Sequence, residues 1–542
     1  MKNLGKIFII LLASSFSSCQ DFLTEEPASF NSPDYAFTTE ESAYQLLTGV
    51  YDALSAREYA GTDCQYGVTD IMRTIPTNTY GGVGDFTLQG DNAFAVVPCW
   101  ESYYNAVNVA NTAIDRIPLI DMDEEVRTRY VAEAIFLRTL VYFNLVRFWG
   151  DIPFPRSETT SVVDVYDVVQ TPAREVMLQL IDDVEGIVDN LPSRADAELG
   201  HATSAAAKAL LAHLYITIAS TDKRDGISDG KTYYQECVNY SYDILYNYPE
   251  YVLCDYYPDA FVKSNKNHAE MIFDIGFMSG GVDDNVYGGV LGLIMGLSGT
   301  ASVGGAWTNL RATEYYHTIF EDTDLVRSEW NSPHYSVAAT GALTNLTLAE
   351  ENTHPWKMAK FRRWPDAIND ANFNMYSWDC HWPVYRLAEI YLFYAEALNE
   401  VNQGPNDEVI WALNKLRERA RWSNTGNLYD DITPRVLTYN ADRMPDLTSA
   451  EIYDYDSTFD YIFYERAREM GGECRRRFDL VRWGLFVEKI LELDTLIPNG
   501  RTRVEYSWTS IAANVKEYHT LWPIPTSEMK MNPNLVQNEG YN

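Results

Sequence analysis

The chain has 542 residues, 46% of them hydrophobic, with 77 acidic against 42 basic side chains and a formal charge of -35. A field of that sign argues against nucleic acid or another anionic polymer as principal ligand, while the apolar content is ample for a large core. No run of about 18 apolar residues follows the N-terminal segment, so no membrane-spanning helix is expected beyond it.

The first residues carry a recognisable pattern. Lys2 and Lys6 precede an apolar run from Ile7 to Ala13, and Ser14-Ser15-Phe16-Ser17-Ser18 leads directly to Cys19. This resembles a bacterial lipoprotein signal, in which residues 1–18 are removed and the Cys19 sulfur carries the acyl chains. Phe16 stands where such signals usually have Leu; a plain secretory signal with an incidental cysteine is the alternative. The run is too short to span about 30 Å of hydrocarbon. Residues 19–38 then read as lipid anchor and acidic tether, and 39–542 as one body.

From Ser42 to Asn247 the pattern is helical. Trp100, Tyr103, Tyr104, Val107, Ala110, Asn111 and Ile114 recur at three-to-four spacing, predicting a helix that ends before Pro118. A second helix is predicted from Glu124 to about Trp149, stopped by Gly150 and Pro153. Thr171 and Pro172 predict the start of a third, to about Asn190. Thr203 opens an alanine-rich helix over Ser204 to Ser220, and another covers Tyr233 to Tyr246. A late pair is predicted at Val384 to Val401 and Asn406 to Arg421. The predicted class is mostly α: about four helix pairs resembling tetratricopeptide units, with the scaffold over 39–247 and 384–542.

Residues 248–383 form a different, loop-rich insertion. A short strand-like run at Glu270 to Ile275 is followed by a glycine-rich stretch from Gly276 to Gly305. Irregular loops on a helical frame are where binding sites are usually built. A second loop-rich stretch runs from Tyr59 to Pro98. The 38 Tyr and 13 Trp offer flat apolar faces with polar edges, suited to stacking on the C–H faces of sugars.

Chemistry motifs point elsewhere than catalysis. Six cysteines after Cys19 (Cys64, Cys99, Cys237, Cys254, Cys380 and Cys474) form no CxxC. The eight histidines form no HExxH; Gly296-Leu297-Ser298-Gly299 does not complete GxSxG, and no P-loop is present. Neither metal nor cofactor is expected.

Several segments together resemble the SusD (RagB/SusD) family of outer-membrane nutrient-binding lipoproteins. They are Cys19-Gln20-Asp21-Phe22-Leu23, Ala132 to Arg138 with Phe148-Trp149-Gly150-Asp151-Ile152-Pro153, and Tyr385 to Leu392 with Tyr394-Ala395-Glu396-Ala397. Leu413 to Arg417, Glu465-Arg466 through Glu473, Arg477 to Trp483, and Leu521-Trp522-Pro523-Ile524-Pro525 complete the set in the family's order. Arg138, Glu389, Glu396, Arg417, Glu465, Arg466, Asp479 and Arg482 sit among apolar residues, and buried charges must be paired, so they are read as scaffold ion pairs.

The resemblance implies a non-catalytic cell-surface lipoprotein that captures an oligosaccharide and hands it to a SusC-like TonB-dependent transporter of the outer membrane. The chain's charge makes a neutral glycan the better match. A surface glycan hydrolase, or a lid for peptides or glycoproteins, are the alternative readings. Ring-bearing, glycine-flanked loops select the candidate ligand-binding residues: Trp307, with Asn309 and Arg311 as hydroxyl partners, Tyr287 in the same glycine-rich stretch, and Tyr66, Asn78 and Tyr80 from the earlier loop. Trp100, Trp149, Trp411 and Trp483 are expected in the core; Trp330, Trp356, Trp364, Trp378 and Trp382 are left open.

Overall fold

The computed structural model describes residues 37–55, 68–74, 82–161, 168–277, 289, 291–307, 310–333, 335–345, 357–364, 367, 378–424, 436–493 and 508–541. Eight long helices form the frame: α1 (Glu40–Leu54), α2 (Val96–Arg116), α3 (Glu124–Trp149), α4 (Ala173–Glu185), α5 (Ser204–Arg224), α6 (Lys231–Asn247), α7 (Leu387–Asn402) and α8 (Asp407–Arg419). Each packs on the next in sequence, including α6 on α7, so the insertion between those two leaves the stack unbroken. Helix α9 (Tyr455–Met470) packs on α7 and leads to α10 (Arg476–Arg482).

The helix ends follow local chemistry. Asp123 accepts from the Glu125 and Val126 amides at the start of α3, and Gly150 ends that helix at a φ of 72°. Thr203 caps α5 through the Ala206 amide, and Asn406 caps α8 through Val409. Two expectations fail at helix starts. Thr171 is not a cap: it lies in β3 (Gln170–Thr171), paired with β2 (Ile152–Pro153), and Asp151 accepts the first amide of α4, from Ala173, at 2.8 Å. Val384 is not helical either. It lies in β8 (Trp382–Arg386), which pairs antiparallel with β4 (Met271–Ile275), so α7 begins only at Leu387.

The core is aromatic at the end of α3. The Trp149 indole donates to the Pro523 carbonyl at 3.0 Å, the Trp522 amide donates to Phe148 at 2.7 Å, and the two indoles meet edge-on at 5.6 Å. This is how the C-terminal Leu-Trp-Pro segment closes over the frame. Cys474 is disulfide-bonded, whereas Cys99, Cys237, Cys254 and Cys380 keep their thiols.

A buried network of charge joins frame to insertion. Arg386, at the β8–α7 boundary, meets Glu270 at 2.9 Å, Glu469 at 2.6 Å and Glu473 at 2.7 Å. Arg419 meets Glu270 at 3.0 Å and also Glu469. Arg327, on the insertion helix Leu325–Asn331, meets Asp324 at 2.7 Å and Glu469 at 3.2 Å. Lys360 reaches Glu473 and the Glu469 carbonyl. The side chains paired as scaffold in the sequence find partners as well: Arg138 with Asp183, Arg466 with Glu389 and Asp479, Arg482 with Glu396 and Asp479, Arg417 with Glu321, and Glu465 with Arg327.

Desolvation penalises every one of these ions, and only complete pairing offsets it. Removing one member strands the others, so Arg386→Met lowers the unfolding free energy by about 3–5 kcal/mol in urea denaturation; an unchanged midpoint contradicts this. Acid tests the network too. Burial acts to raise the Glu469 carboxyl, but Arg419, Arg386 and Arg327 hold it well below the ordinary glutamate value; Glu270, Glu465 and Glu473 are lowered in the same way. Asp324, raised by burial, offsets part of this. A lowered folded pKa contributes stability above the unfolded value that disappears as pH falls through the folded one, so stability falls progressively as pH drops below the ordinary glutamate value of 4.5. A flat denaturation midpoint below that value contradicts the network.

Candidate functional site

The loop bearing Trp307 is fixed by its backbone. Gly304 has a φ of 85°, and a Cβ on it would collide with the Trp364 backbone; a Cβ on Gly305 would strike Gly299 and Thr300. The Ala306 amide donates to Leu297 at 2.5 Å, and the Trp307 amide donates to Leu293 at 2.7 Å. Arg363 adds a bond to the Gly305 carbonyl. A small apolar cluster of its own, Leu297, Tyr335, Val337, Ala359 and Trp364, supports this part of the insertion. Within it β6 (Tyr335–Val337) pairs with β7 (Leu343–Asn345), and the Arg362 guanidinium lies 4.0 Å from the centre of the Trp330 ring. Trp307 itself is only partly buried.

Strand β5 (Leu310–Ala312) follows and pairs antiparallel with β1 (Met72–Thr74). Arg311 stands opposite Arg73 on one side and opposite Lys357 through a bridge on the other. Arg73 and Lys357 are 2% and 6% exposed, whereas Arg311 is only partly buried. Burial first, and then Arg311 and Arg73, push the Lys357 ammonium down to about 7.

Of the candidate residues, Trp307 and Arg311 are placed on this one loop and strand. Asn309, Tyr287, Tyr66, Asn78, Tyr80 and Cys19 lie outside the described residues. Arg73 and Lys357 were missed: they are far apart in sequence and belong to no motif, and only strand pairing brings them to Arg311. Trp330, Trp364, Trp378 and Trp382 join Trp100 and Trp149 in the interior, while Trp411 and Trp483 are only partly buried; Trp356 is outside the described residues. Trp411 continues an exposed ring ladder on the frame, stacked at 5.3 Å on Tyr246, which stacks at 4.3 Å on Tyr242.

A cavity of about 430 Å³ opens in the scaffold, among α3, α5 and α10. Its lining is ion-paired rather than ring-lined: Arg174 with Asp222, Arg466 and Arg482 with Asp479. Among the described residues no group of three or more metal-ligating side chains comes together.

Two family models match. The model described as the SusD family covers residues 311–541, and one described as starch-binding associating with outer membrane covers residues 21–216. The chain belongs to the SusD family. SusD-like protein P25 of Formosa agariphila is 24% identical over 99% of this chain and 98% of its own length. In fold, a SusD homolog from Bacteroides thetaiotaomicron superposes with a TM-score of 0.78 at 22% identity, covering 93% of this chain and 97% of its own. A laminarin-binding SusD-like protein superposes at 0.67 and 20% identity, covering 93% and 100%. The description of the second model names starch binding and association with the outer membrane. The motif charges of the SusD signature are the buried pairs described above, so they mark the fold.

Proposed function

We propose that this SusD-family chain is a surface lipoprotein that captures an oligosaccharide without cleaving it and passes it to a SusC-like TonB-dependent transporter. The observation that carries the reading is a partly exposed tryptophan, Trp307, held by a pinned glycine turn beside the partly exposed Arg311 on a rigid helical frame. A flat ring fixed in this way loses little freedom when a sugar stacks on it, and a neighbouring guanidinium supplies donors for hydroxyls. The family's starch-binding description and the laminarin-binding relative support a glycan over a peptide.

Export is supported by two further features. Cys474 is disulfide-bonded, which suits a chain that matures in an oxidising compartment. Among the described residues no helix is long and apolar enough to cross a membrane; the lipoprotein-like signal before Cys19 is what supports attachment through its acyl chains. Weak capture suits a component that must release its cargo: two or three stacked rings at about 0.5–1.5 kcal/mol each supply at most about 4.5 kcal/mol, which is millimolar affinity.

Calorimetry against laminarin and malto-oligosaccharides tests the site. Trp307→Ala lowers affinity roughly two- to tenfold and leaves the melting temperature nearly unchanged; unaltered affinity removes Trp307 from the site. Cys19→Ala abolishes acylation, read as the loss of the lipidated mass by mass spectrometry of the membrane fraction. Persistence of that mass contradicts the anchor.

A further inference from the structure

We propose that Arg73, Arg311 and Lys357 form a subsite for an anionic substituent, a carboxylate or a sulfate, on the captured oligosaccharide. The inference rests on the glycan-binding reading and names the chemistry of its ligand.

The register supplies the geometry. Residues directly opposite one another in antiparallel pairs project to the same face, with Cβ atoms about 5 Å apart. Arg311 is opposite Arg73 in the β1–β5 pair and opposite Lys357 in a bridge, so three cationic residues stand in rank across one face. Like charges placed this way oppose folding. Several buried cations elsewhere meet carboxylates, among them Arg327, Arg386, Arg419 and Lys360, while Arg362 meets carbonyl and hydroxyl oxygens instead. Lys357 has other cations beside it. It is 6% exposed, the charges acting on it are two arginines, and no carboxylate of the described residues pairs with it. A cation kept dry beside other cations is the arrangement expected where a ligand brings the missing negative charge.

The place fits as well. Arg311 is partly exposed and follows the partly exposed Trp307 by four positions in the sequence. The chain's charge of -35 favours a neutral ligand only at long range. Within about 8–10 Å, the screening distance at physiological salt, the local cations dominate.

Calorimetry on the intact protein tests this with four probes: a galacturonic acid hexamer for carboxylate, a carrageenan hexasaccharide for sulfate, and maltohexaose and laminarihexaose as neutral controls. One acidic probe is expected to bind about tenfold or more tighter than either neutral one, with affinity falling as salt rises. Which acidic probe wins identifies the group. Lys357→Met and Arg311→Gln each reduce that affinity about tenfold, Lys357→Arg retains it, and Lys357→Met leaves the melting temperature unchanged or higher. Neutral probes binding as tightly as acidic ones overturn the subsite alone, and no binding by any probe overturns the glycan-binding reading beneath it. Unfolding of Lys357→Met, with Arg311→Gln binding normally, assigns the rank to the fold and overturns the proposal.

Discussion

The structure turns on the buried meeting of Arg386 and Arg419 with Glu270, Glu469 and Glu473. These side chains come from the residue just before the insertion strand β4, the β8–α7 junction, α8, and α9 with the turn after it, so one network fixes four parts of the chain relative to one another. Ion pairs at this depth gain little over well-packed apolar residues, and their cost falls on any arrangement that leaves one partner alone. They act on geometry: wrong placements of the insertion on the frame are penalised more than the right one is rewarded. Arg327 and Lys360 extend the same logic outward from the frame into the insertion.

That fixed placement is what makes a loop-borne site workable. The turn before Trp307 is built from a left-handed glycine, a second glycine lying against Gly299, and amide bonds to Leu293 and Leu297, none of which involves a ligand. In the proposed site the ring and the cations of β1 and β5 are set before a sugar arrives, so binding there spends little on ordering them. Buried cations with carboxylate partners, such as Arg386 and Arg327, hold frame and insertion together, while Lys357, set beside Arg311 and Arg73, is assigned to the proposed site.

How much of this was legible follows from where the information lies. The boundaries of α3 at Glu124 and Trp149 were readable because a cap, a periodic apolar stripe and Gly150 all act locally. So was the pairing of Arg466, Asp479 and Arg482, since charges on a buried stripe admit no other solution. Val384 misled because its apolar neighbours suit a helix as well as a strand; the decision came from β4, more than a hundred residues away. Thr171 misled for a similar reason, with Asp151 taking the cap from across the β2–β3 pair. Trp307 could be picked out by its glycines, which mark a turn whatever surrounds it. Lys357 could not, because nothing in Pro355-Trp356-Lys357 announces that two arginines will stand beside it.

Three surfaces of this molecule have features of a binding site: the Trp307–Arg311 segment, the ion-paired cavity beside Asp222 and Arg482, and the Tyr242–Tyr246–Trp411 ladder on the frame. Amide hydrogen exchange with and without a saturating mixture of neutral and acidic oligosaccharides separates them in one measurement. The account predicts slowed exchange at Gly304 to Trp307, at Leu310 to Ala312 and at Met72 to Thr74, with α5 and α6 unchanged. Protection confined to the cavity-lining turns of α3, α5 and α10, or to α6 and α8, would contradict it.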